Sequence, residues 1–350
     1  MTNALPPVAD TVHLTDALRA AGRLDTACVR GVALMAPPIR KLRSQTFRLR
    51  LDYDGRAEGA PASVILKMGH LDDAARPAYA NPFEVSFYRD VAPSLPAGTV
   101  PRCFDVTEAT ETSAWHLLLE DLTETHFVAT EWPLPPPTAH CGQIVQALAR
   151  IHAAWWDDPR LGVTVGRWRD EAIWVKEFSM ALERFTERFG HLLPAERHEL
   201  YQQLIDRAPA LSARQHARHS MTVVHGDAHV WNFFLPHDGH ETVRLLDWED
   251  WHIGAPTDDL AYMMAMLWYP DRRHRLEQPL LDHYHAALVA CGIRGYDRET
   301  LAEDYRLSVL WLIARPIWQA RVGVGARVWW NNLERIFLAV DDLGCRDLLG

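Results

Sequence analysis

Alternating apolar and polar residues predict a β-sheet in the first third of the chain. The alternation is strict in residues 46–53, as expected for a strand with one buried face. Residues 63–68 form an almost continuous apolar run, and further apolar runs occupy residues 100–106 and 115–119. Ahead of these strands, residues 15–22 have the pattern of a short helix that ends at a glycine.

Helical spacing dominates the rest of the chain. Residues 143–156 carry apolar side chains on one helix face, at Ile144, Leu148, Ile151 and Trp155. His152 shares this face, and we interpret it as a core histidine rather than a ligand. Residues 254–267 and much of residues 276–350 are also predicted to be helical. A proline cluster at residues 133–137 predicts a break between the sheet region and the helical region.

Tryptophan is frequent in the last helical region. Trp311, Arg315 and Trp318 follow the spacing of one helix face. Such a stripe is typical of a core, but tryptophan faces also bind cations and flat ligands. The stripe is therefore either core packing or one wall of a substrate pocket. Pro316 is expected to kink this helix.

Two short β-prone runs predict a hairpin late in the chain. Residues 233–235 and 243–246 are apolar, and residues 236–240 between them have the composition of a turn. We expect the hairpin to fold about Asp238-Gly239.

Three polar side chains are predicted to meet at the open end of this hairpin. Asn232 begins the first strand, Asp247 ends the second, and the loop with Asp227 leads into the same end. Asp and Asn oxygens are hard ligands that suit Mg²⁺. Asp227 would remain free to orient a hydroxyl group and accept its proton. A zinc cluster of His225, Asp227 and His229 is an alternative, but it leaves Asn232 and Asp247 unexplained.

Three blocks of sequence together resemble one known superfamily. They are His-Gly-Asp-Ala-His-Val-Trp-Asn at 225–232, Asp-Trp-Glu at 247–249 and Gly-Ala-Pro-Thr-Asp-Asp-Leu-Ala at 254–261. In this order and spacing they resemble the aminoglycoside phosphotransferase and choline kinase superfamily, including its ecdysteroid-kinase-like branch. The resemblance implies an α+β, protein-kinase-like two-lobed fold. Residues 1–122 would form a nucleotide-binding lobe with an antiparallel sheet and a helix, and residues 123–350 a mainly helical catalytic and acceptor-binding lobe.

The resemblance also implies ATP and Mg²⁺ as cofactors and assigns roles to several residues. Asp227 would be the catalytic base, and Asn232 and Asp247 would hold Mg²⁺. Lys67, positioned by Glu84 of the following helix, would contact the phosphates.

Other expected nucleotide contacts are less strongly marked in the sequence. Ser44 lies in the segment 42–45, which would cover the phosphates although it has no Gly-x-Gly-x-x-Gly motif. Backbone groups around Glu120 and Leu122 would meet the adenine edge, although acids at this position could simply cap the next segment. Supporting or substrate-binding roles are expected for Glu249, His225 and Asp259. Asp259 would accept hydrogen bonds from the catalytic-loop backbone, and N-capping of its helix is the competing account.

Net charge, cysteine pattern and apolar run length indicate which partners and which cell compartment are compatible with the sequence. The net charge of −10 disfavours general nucleic-acid binding. Five scattered cysteines without a Cys-x-x-Cys pair indicate neither a disulfide framework nor a zinc site, and favour a reducing cytoplasm. No secretory signal is expected, and the longest apolar run, residues 260–269, is too short to span a membrane.

The sequence therefore predicts an ATP- and Mg²⁺-dependent kinase that phosphorylates a hydroxyl group of a small molecule. The sequence does not distinguish between an antibiotic, an amino alcohol and another hydroxylated metabolite as the acceptor. It does not predict the oligomeric state. Two other functions remain as alternatives: phosphorylation of a protein, and nucleotide-dependent regulation without catalysis. His-Gly-Asp and Asp-Trp-Glu differ from the protein-kinase motifs His-Arg-Asp and Asp-Phe-Gly, which favours a small acceptor.

Overall fold

The computed structural model describes residues 5–41, 44–70, 83–110, 113–237 and 242–350. The chain forms two compact units. Unit 1 comprises Met1–Phe127 and Phe234–Glu249, and unit 2 comprises Val128–Phe233 and Asp250–Gly350. The lobe boundary at residue 122 remains a prediction.

Unit 1 is built on a six-stranded sheet. Its strands are β1 (Cys28–Leu34), β2 (Ile39–Arg40), β3 (Gln45–Asp54), β4 (Ser63–Met68), β5 (Cys103–Thr107) and β6 (His116–Glu120). The order is β1-β3-β4-β6-β5, β2 pairs with β3, and all pairs are antiparallel. The alternation in residues 46–53 is confirmed as a half-buried strand, because Phe47, Leu49 and Leu51 are buried.

Two helices belong to unit 1. Helix α1 (Thr11–Ala20) packs Leu14 and Leu18 into the same core as β3. It begins four residues before the predicted start, because the Asp10 side chain accepts hydrogen bonds from the N–H groups of Val12 and His13. Helix α2 (Phe83–Ser86) continues as a π-helical turn, Phe87–Val91.

The predicted hairpin strands are present and paired. They are β9 (Phe233–Pro236) and β10 (Arg244–Leu245), with β7 (His126–Val128) on the other side of β9. The predicted turn at Asp238-Gly239 lies outside the described residues. A further antiparallel pair joins β8 (Thr222–Val224) to β11 (His252–Gly254) in unit 2.

Unit 2 is mainly helical. Its helices are α3 (Thr138–Ala154), α4 (Glu171–Phe189), α5 (Ala195–Leu211), α6 (Ala213–Ala217), α7 (Thr257–Ala261), α8 (Pro270–Ala290), α9 (Arg298–Trp311), α10 (Arg315–Arg321) and α11 (Ala326–Asp342). The apolar face predicted for residues 143–156 is buried in α3, and His152 is buried with it. These elements confirm the predicted α+β class. None of the described helices combines the length and apolarity needed to cross a membrane.

Candidate active site

A buried ionic cluster in unit 1 joins three of the predicted residues. Lys67 lies near the end of β4, Glu84 lies in α2, and Asp247 follows β10. The Lys67 Nζ atom is 2.5 Å from Glu84 Oε2 and 2.6 Å from Asp247 Oδ1. Strand, helix and hairpin therefore each place one charged group at the same point.

Lys41 is a fourth member of the cluster that the sequence did not reveal. Its Nζ atom is 2.7 Å from Asp247 Oδ2, so each oxygen of this carboxylate has a lysine partner. The only available signal was its position just before the segment 42–45, which was expected to cover phosphates. Residues 42 and 43 lie outside the described chain, and the buried Ser44 follows them at the start of β3.

Electrostatics keep Lys67 and Asp247 of this cluster charged. Burial tends to raise the pKa of Asp247, but Lys67 and Lys41 together hold that pKa far below its usual value. Burial opposes the charge on Lys67, yet Glu84 and Asp247 raise its pKa overall. Burial raises the pKa of Glu84, and Lys67 opposes this rise. Lys67 is therefore cationic and Asp247 anionic at neutral pH.

The residue after Asp247 anchors the hairpin within unit 1. Trp248 is fully buried, and its ring stacks on Phe87 with the centroids 3.9 Å apart. Phe87 directly continues the helix that carries Glu84. Asp247 itself has a φ of 66°, a left-handed conformation that is uncommon for a non-glycine residue. Glu249 is half-buried at the end of this segment.

The loop after β8 holds Asp227 in unit 2. Tyr262 donates its hydroxyl hydrogen to Asp227 Oδ1. Arg315 Nη2 lies 3.7 Å from the same oxygen, and His229 Nε2 lies 3.4 Å from Oδ2. Burial tends to raise the pKa of Asp227, but His229, Arg315 and Tyr262 lower it overall. The carboxylate is therefore ionised and its orientation is fixed by side chains from two helical segments.

Asp259 holds the backbone of this loop through hydrogen bonds. Its carboxylate accepts hydrogen bonds from the backbone N–H groups of His225, at 2.7 Å, and Gly226, at 2.9 Å. His152 Nε2 lies 3.2 Å from Asp259, and His152 Nδ1 lies 2.7 Å from the Tyr284 hydroxyl. His152 is thus a core histidine that belongs to the support of the loop.

Asn232 closes the same loop. It ends a 3-10 turn, Val230–Asn232, directly before β9. Its Nδ2 atom donates to the carbonyl oxygen of Asp227 at 3.0 Å, and its backbone N–H donates to His229 O at 2.9 Å. The buried Asn232 is therefore tied to the backbone that carries Asp227.

The two residues expected near adenine already have partners within the chain. The Glu120 carboxylate accepts from the Arg102 N–H at 3.1 Å. The Leu122 carbonyl accepts from the N–H groups of Thr125 and His126. Asp121, between them, accepts a hydrogen bond from the Thr123 N–H and so caps the following turn. This agrees with the alternative that acids at this position cap the next segment.

A pocket of about 250 Å³ lies beside the Asp227 loop in unit 2. Gly226, Tyr262 and Arg315 form part of its lining, so it reaches the groups that hold Asp227. Its aromatic lining consists of Trp174, Trp311 and Trp318, together with Tyr262. The predicted stripe thus lines a pocket at Trp311 and Trp318, whereas Trp329 is buried in the core.

The model of the phosphotransferase enzyme family matches residues 39–301, about three quarters of the chain. The chain belongs to this family. The matched range spans the predicted catalytic, metal and nucleotide residues but ends before the tryptophan stripe, and the prediction of a phosphotransferase is confirmed. The narrower ecdysteroid-kinase-like assignment stays a prediction. No curated protein sequence matches the chain.

Solved structures of this superfamily share the fold at low sequence identity. A choline/ethanolamine kinase family protein from Mesorhizobium loti aligns with a TM-score of 0.52 and 15% identity, covering 89% of both chains. The ethanolamine kinase of Plasmodium vivax aligns with a TM-score of 0.55 and 11% identity, covering 88% of this chain and 82% of its own. Amicoumacin kinase hAmiN, in complex with AMP-PNP, Ca²⁺ and Ami, aligns with a TM-score of 0.52 and 14% identity, covering 93% and 92%. These likenesses confirm the predicted kinase-like fold.

The zinc alternative finds no geometric support in the described residues. Within the described residues, the His, Cys, Asp and Glu side chains whose ligand atoms converge within 4.8 Å are His13, Asp105 and His116 in unit 1. His225, Asp227 and His229 do not form such a group. The phosphotransferase family therefore accounts for the His-x-Asp-x-His motif better than a zinc site does.

Proposed function

We propose that this phosphotransferase transfers the γ-phosphate of ATP to a hydroxyl group of a small molecule, with Mg²⁺ as the metal. The observation that carries the proposal is the ionised Asp227, held by Tyr262 and Arg315 on a loop beside a concave pocket. Gly226, Tyr262 and Arg315 line the pocket, so a hydroxyl group bound at this end would lie next to the groups that hold the Asp227 carboxylate, the proposed acceptor for its proton. Positioning of this kind supplies much of the catalysis in phosphoryl transfer.

The acid–base role of Asp227 follows from its charge. Because its pKa is lowered, it is a weak base before the reaction and orients the acceptor hydroxyl through a charge-assisted hydrogen bond. It accepts the proton as the bond to phosphorus forms and the hydroxyl becomes strongly acidic. Arg315 and Tyr262 hold the carboxylate in one orientation throughout.

The cofactor roles rest on the donor groups of the chain. Asp247 offers an ionised carboxylate and Asn232 an amide oxygen, and both are hard donors that suit Mg²⁺. When bound, Mg²⁺ would neutralise part of the phosphate charge. Lys67, positioned by Glu84, and the neighbouring Lys41 offer ammonium groups for phosphate oxygens. We assign Ser44, Glu120 and Leu122 to the nucleotide and leave Glu249 as a supporting or substrate group.

Two further observations favour a small acceptor over a protein. The pocket beside Asp227 is concave, which suits a small ligand. The structurally similar proteins include an ethanolamine kinase and an amicoumacin kinase, and the latter binds AMP-PNP and Ca²⁺. All five cysteines are free, which supports a cytoplasmic enzyme.

The proposal is tested first by nucleotide binding. ATP, GTP and ADP are each added with and without Mg²⁺, and thermal unfolding is followed. A nucleotide present at 100 times its dissociation constant should stabilise the protein by about 2.7 kcal/mol. We expect the largest shift with ATP and Mg²⁺. No shift with any nucleotide would contradict the proposal.

The second step separates the catalytic proposal from its alternatives. ADP release is measured with panels of hydroxylated metabolites, amino alcohols and aminoglycosides, and with a mixture of peptides. Acceptor-dependent release with a small molecule supports the proposal. Release with peptides alone would favour a protein kinase, and nucleotide binding without release would favour a catalytically inactive regulator.

A further inference from the structure

Aromatic side chains form much of the lining of the pocket beside the Asp227 loop. Trp311 meets Trp174 edge to face, with centroids 4.8 Å apart, and both side chains are partly exposed. Phe178 stacks behind Trp174, at 4.9 Å, and also contacts Trp318. The aromatic side chains are therefore held in place by their neighbours. Such a lining favours a largely apolar ligand.

Two arginines already occupy the positions that a cationic ligand would use. The Arg169 guanidinium carbon lies 4.6 Å from the Trp311 ring centroid and 5.3 Å from that of Trp174. Arg315 lies on the Asp227 side of the pocket, 5.3 Å from the Tyr262 ring centroid. Because aromatic faces attract cations, each of these contacts occupies a cation–π site of the pocket. The chain fills them itself.

The carboxylates of the pocket are also engaged within the chain. Asp258 accepts from the Ser308 hydroxyl at 2.6 Å and from the Ala255 N–H at 3.1 Å. The buried Asp304 accepts from the Tyr296 hydroxyl at 2.8 Å. Asp250, which is not part of the lining, accepts from Arg315 at 2.7 Å. An ammonium group would thus meet two guanidinium groups and carboxylates that already have donors.

We propose that the acceptor is a largely apolar alcohol that is neutral or carries an anionic group beside Arg169, and that cationic acceptors are disfavoured. Its hydroxyl group would face Gly226 and Tyr262, and its far end would lie beside the Trp311–Arg169 pair. That the ligand is phosphorylated rests on the function proposed above. The preference for a neutral or anionic ligand over a cationic one follows from the pocket alone and does not depend on that function.

The test uses three probes that share one ring system and one hydroxyl group and differ in the charge of a distant substituent. They are naphthylmethanols that carry a carboxylate, no charge or an ammonium group on the ring distant from the hydroxyl. Binding to the full chain is measured by titration calorimetry. We expect the carboxylate probe to bind about fivefold more tightly than the ammonium probe, the upper range for a partly exposed charge contact. The neutral probe should fall between them.

A charge reversal locates the effect. Arg169→Glu should reverse the order of the two charged probes and leave the neutral probe within about twofold. Arg188→Glu is the matched control, because Arg188 is an exposed arginine over the Phe189 ring, outside the pocket lining, and changes the net charge equally. It should leave the order unchanged.

Three results would overturn the proposal: tightest binding of the ammonium probe to the natural chain, an unchanged order in Arg169→Glu, or no binding of any probe. The expected order with no phosphoryl transfer to any acceptor would instead contradict the proposed function and leave the charge preference standing.

Discussion

Gly226 shows how closely the catalytic loop is packed against its neighbours. Its φ is +76°, in the region that favours glycine, and a Cβ atom there would overlap the carbonyl oxygen of Asp250. The loop therefore needs glycine between His225 and Asp227 for two reasons, conformation and space. Any side chain here would displace Asp227 from Tyr262 and Arg315.

Gly226→Ala should reduce turnover at least tenfold and lower the melting temperature, because the added methyl group must move backbone atoms. Gly295→Ala is the matched control, since Gly295 has the same φ of +76° with nothing within 4 Å of the added atom. The control should lose about 1 kcal/mol of stability from conformational strain and keep its turnover. Equal turnover in the two variants would show that the overlap does not control Asp227.

Asp258 and Asp259 should affect stability with opposite dependence on pH. His152 and His225 hold the pKa of Asp259 below its usual 3.8 despite burial, so its ionised form stabilises the fold. The stability that ionised Asp259 contributes is full at a pH above the pKa of this group in the unfolded chain. It is lost as the pH falls through the pKa of the group in the folded protein. Burial raises the pKa of Asp258, so the stability it contributes is full below the unfolded pKa and is lost as the pH rises.

We expect Asp259→Asn to cost about 3 kcal/mol at neutral pH, as for a broken buried ionic network, and less as the pH falls below about 4. Asp258→Asn should cost less at neutral pH than in acid. Urea unfolding of both variants and the natural chain over this range measures the two costs. The same pH dependence for both variants would contradict the opposite pKa shifts of Asp258 and Asp259.

At the residue scale, the sequence predicted the charged groups and the Lys67–Glu84 pair, but not all the partners that the structure gives them. Asp227, Asp247, Lys67 and Glu84 were predicted from spacing and resemblance, and the structure joins the last three in one cluster. The partners Tyr262, Arg315 and Lys41 lie far from them along the chain, so no spacing rule connects them. Arg315 was noticed only as a member of the tryptophan stripe.

Three elements of unit 1 depend on one another through the cluster at Asp247. Strand β4 supplies Lys67, helix α2 supplies Glu84, and the hairpin supplies Asp247. The stack of Trp248 on Phe87 fixes the hairpin to the helical segment. Asp247 is therefore held by its ion pairs with lysine and by the anchored residue that follows it. We expect nucleotide and metal binding to respond to this arrangement as a whole.

Asp247→Ala should abolish the Mg²⁺-dependent part of nucleotide binding, because it removes the ionised carboxylate proposed as a metal ligand. Asp54→Ala removes an exposed carboxylate at the end of β3 in the same unit and is the control. Thermal shifts with ATP, with and without Mg²⁺, compare the two variants. An unchanged Mg²⁺-dependent shift in Asp247→Ala would refute the metal role.

At the element scale, helix boundaries were predicted less well than helix faces. The stripe 311–318 was expected to lie on one kinked helix, but α9 ends at Trp311 and a 3-10 turn, Leu312–Ala314, precedes α10. Pro316 sits in the first turn of α10, where its missing N–H costs no hydrogen bond. Proline therefore starts a new helix here. The spacing still brought Trp311 and Trp318 to one pocket.

At the scale of the whole molecule, three short blocks of sequence were enough to predict the family and the fold. Those blocks carry the shared phosphate chemistry, whose residues must keep a fixed order and spacing. The acceptor pocket could not be predicted in the same way. Its lining comes from α4 to α6, the Asp227 loop, β11, α7 with the segment after it, and α9 to α10, so its shape and charge appear only when these elements pack.

The most direct test of the account separates turnover from nucleotide binding in Asp227→Ala. With the best acceptor of the natural chain, turnover should fall by about 10²–10⁴, the usual contribution of a positioned base. Affinity for ATP with Mg²⁺ should stay within about twofold, because Asp227 orients the acceptor. Asp206→Ala, which removes an exposed carboxylate on α5, should change neither value. Near-normal turnover in Asp227→Ala would contradict the central claim that this carboxylate positions the hydroxyl group for phosphoryl transfer.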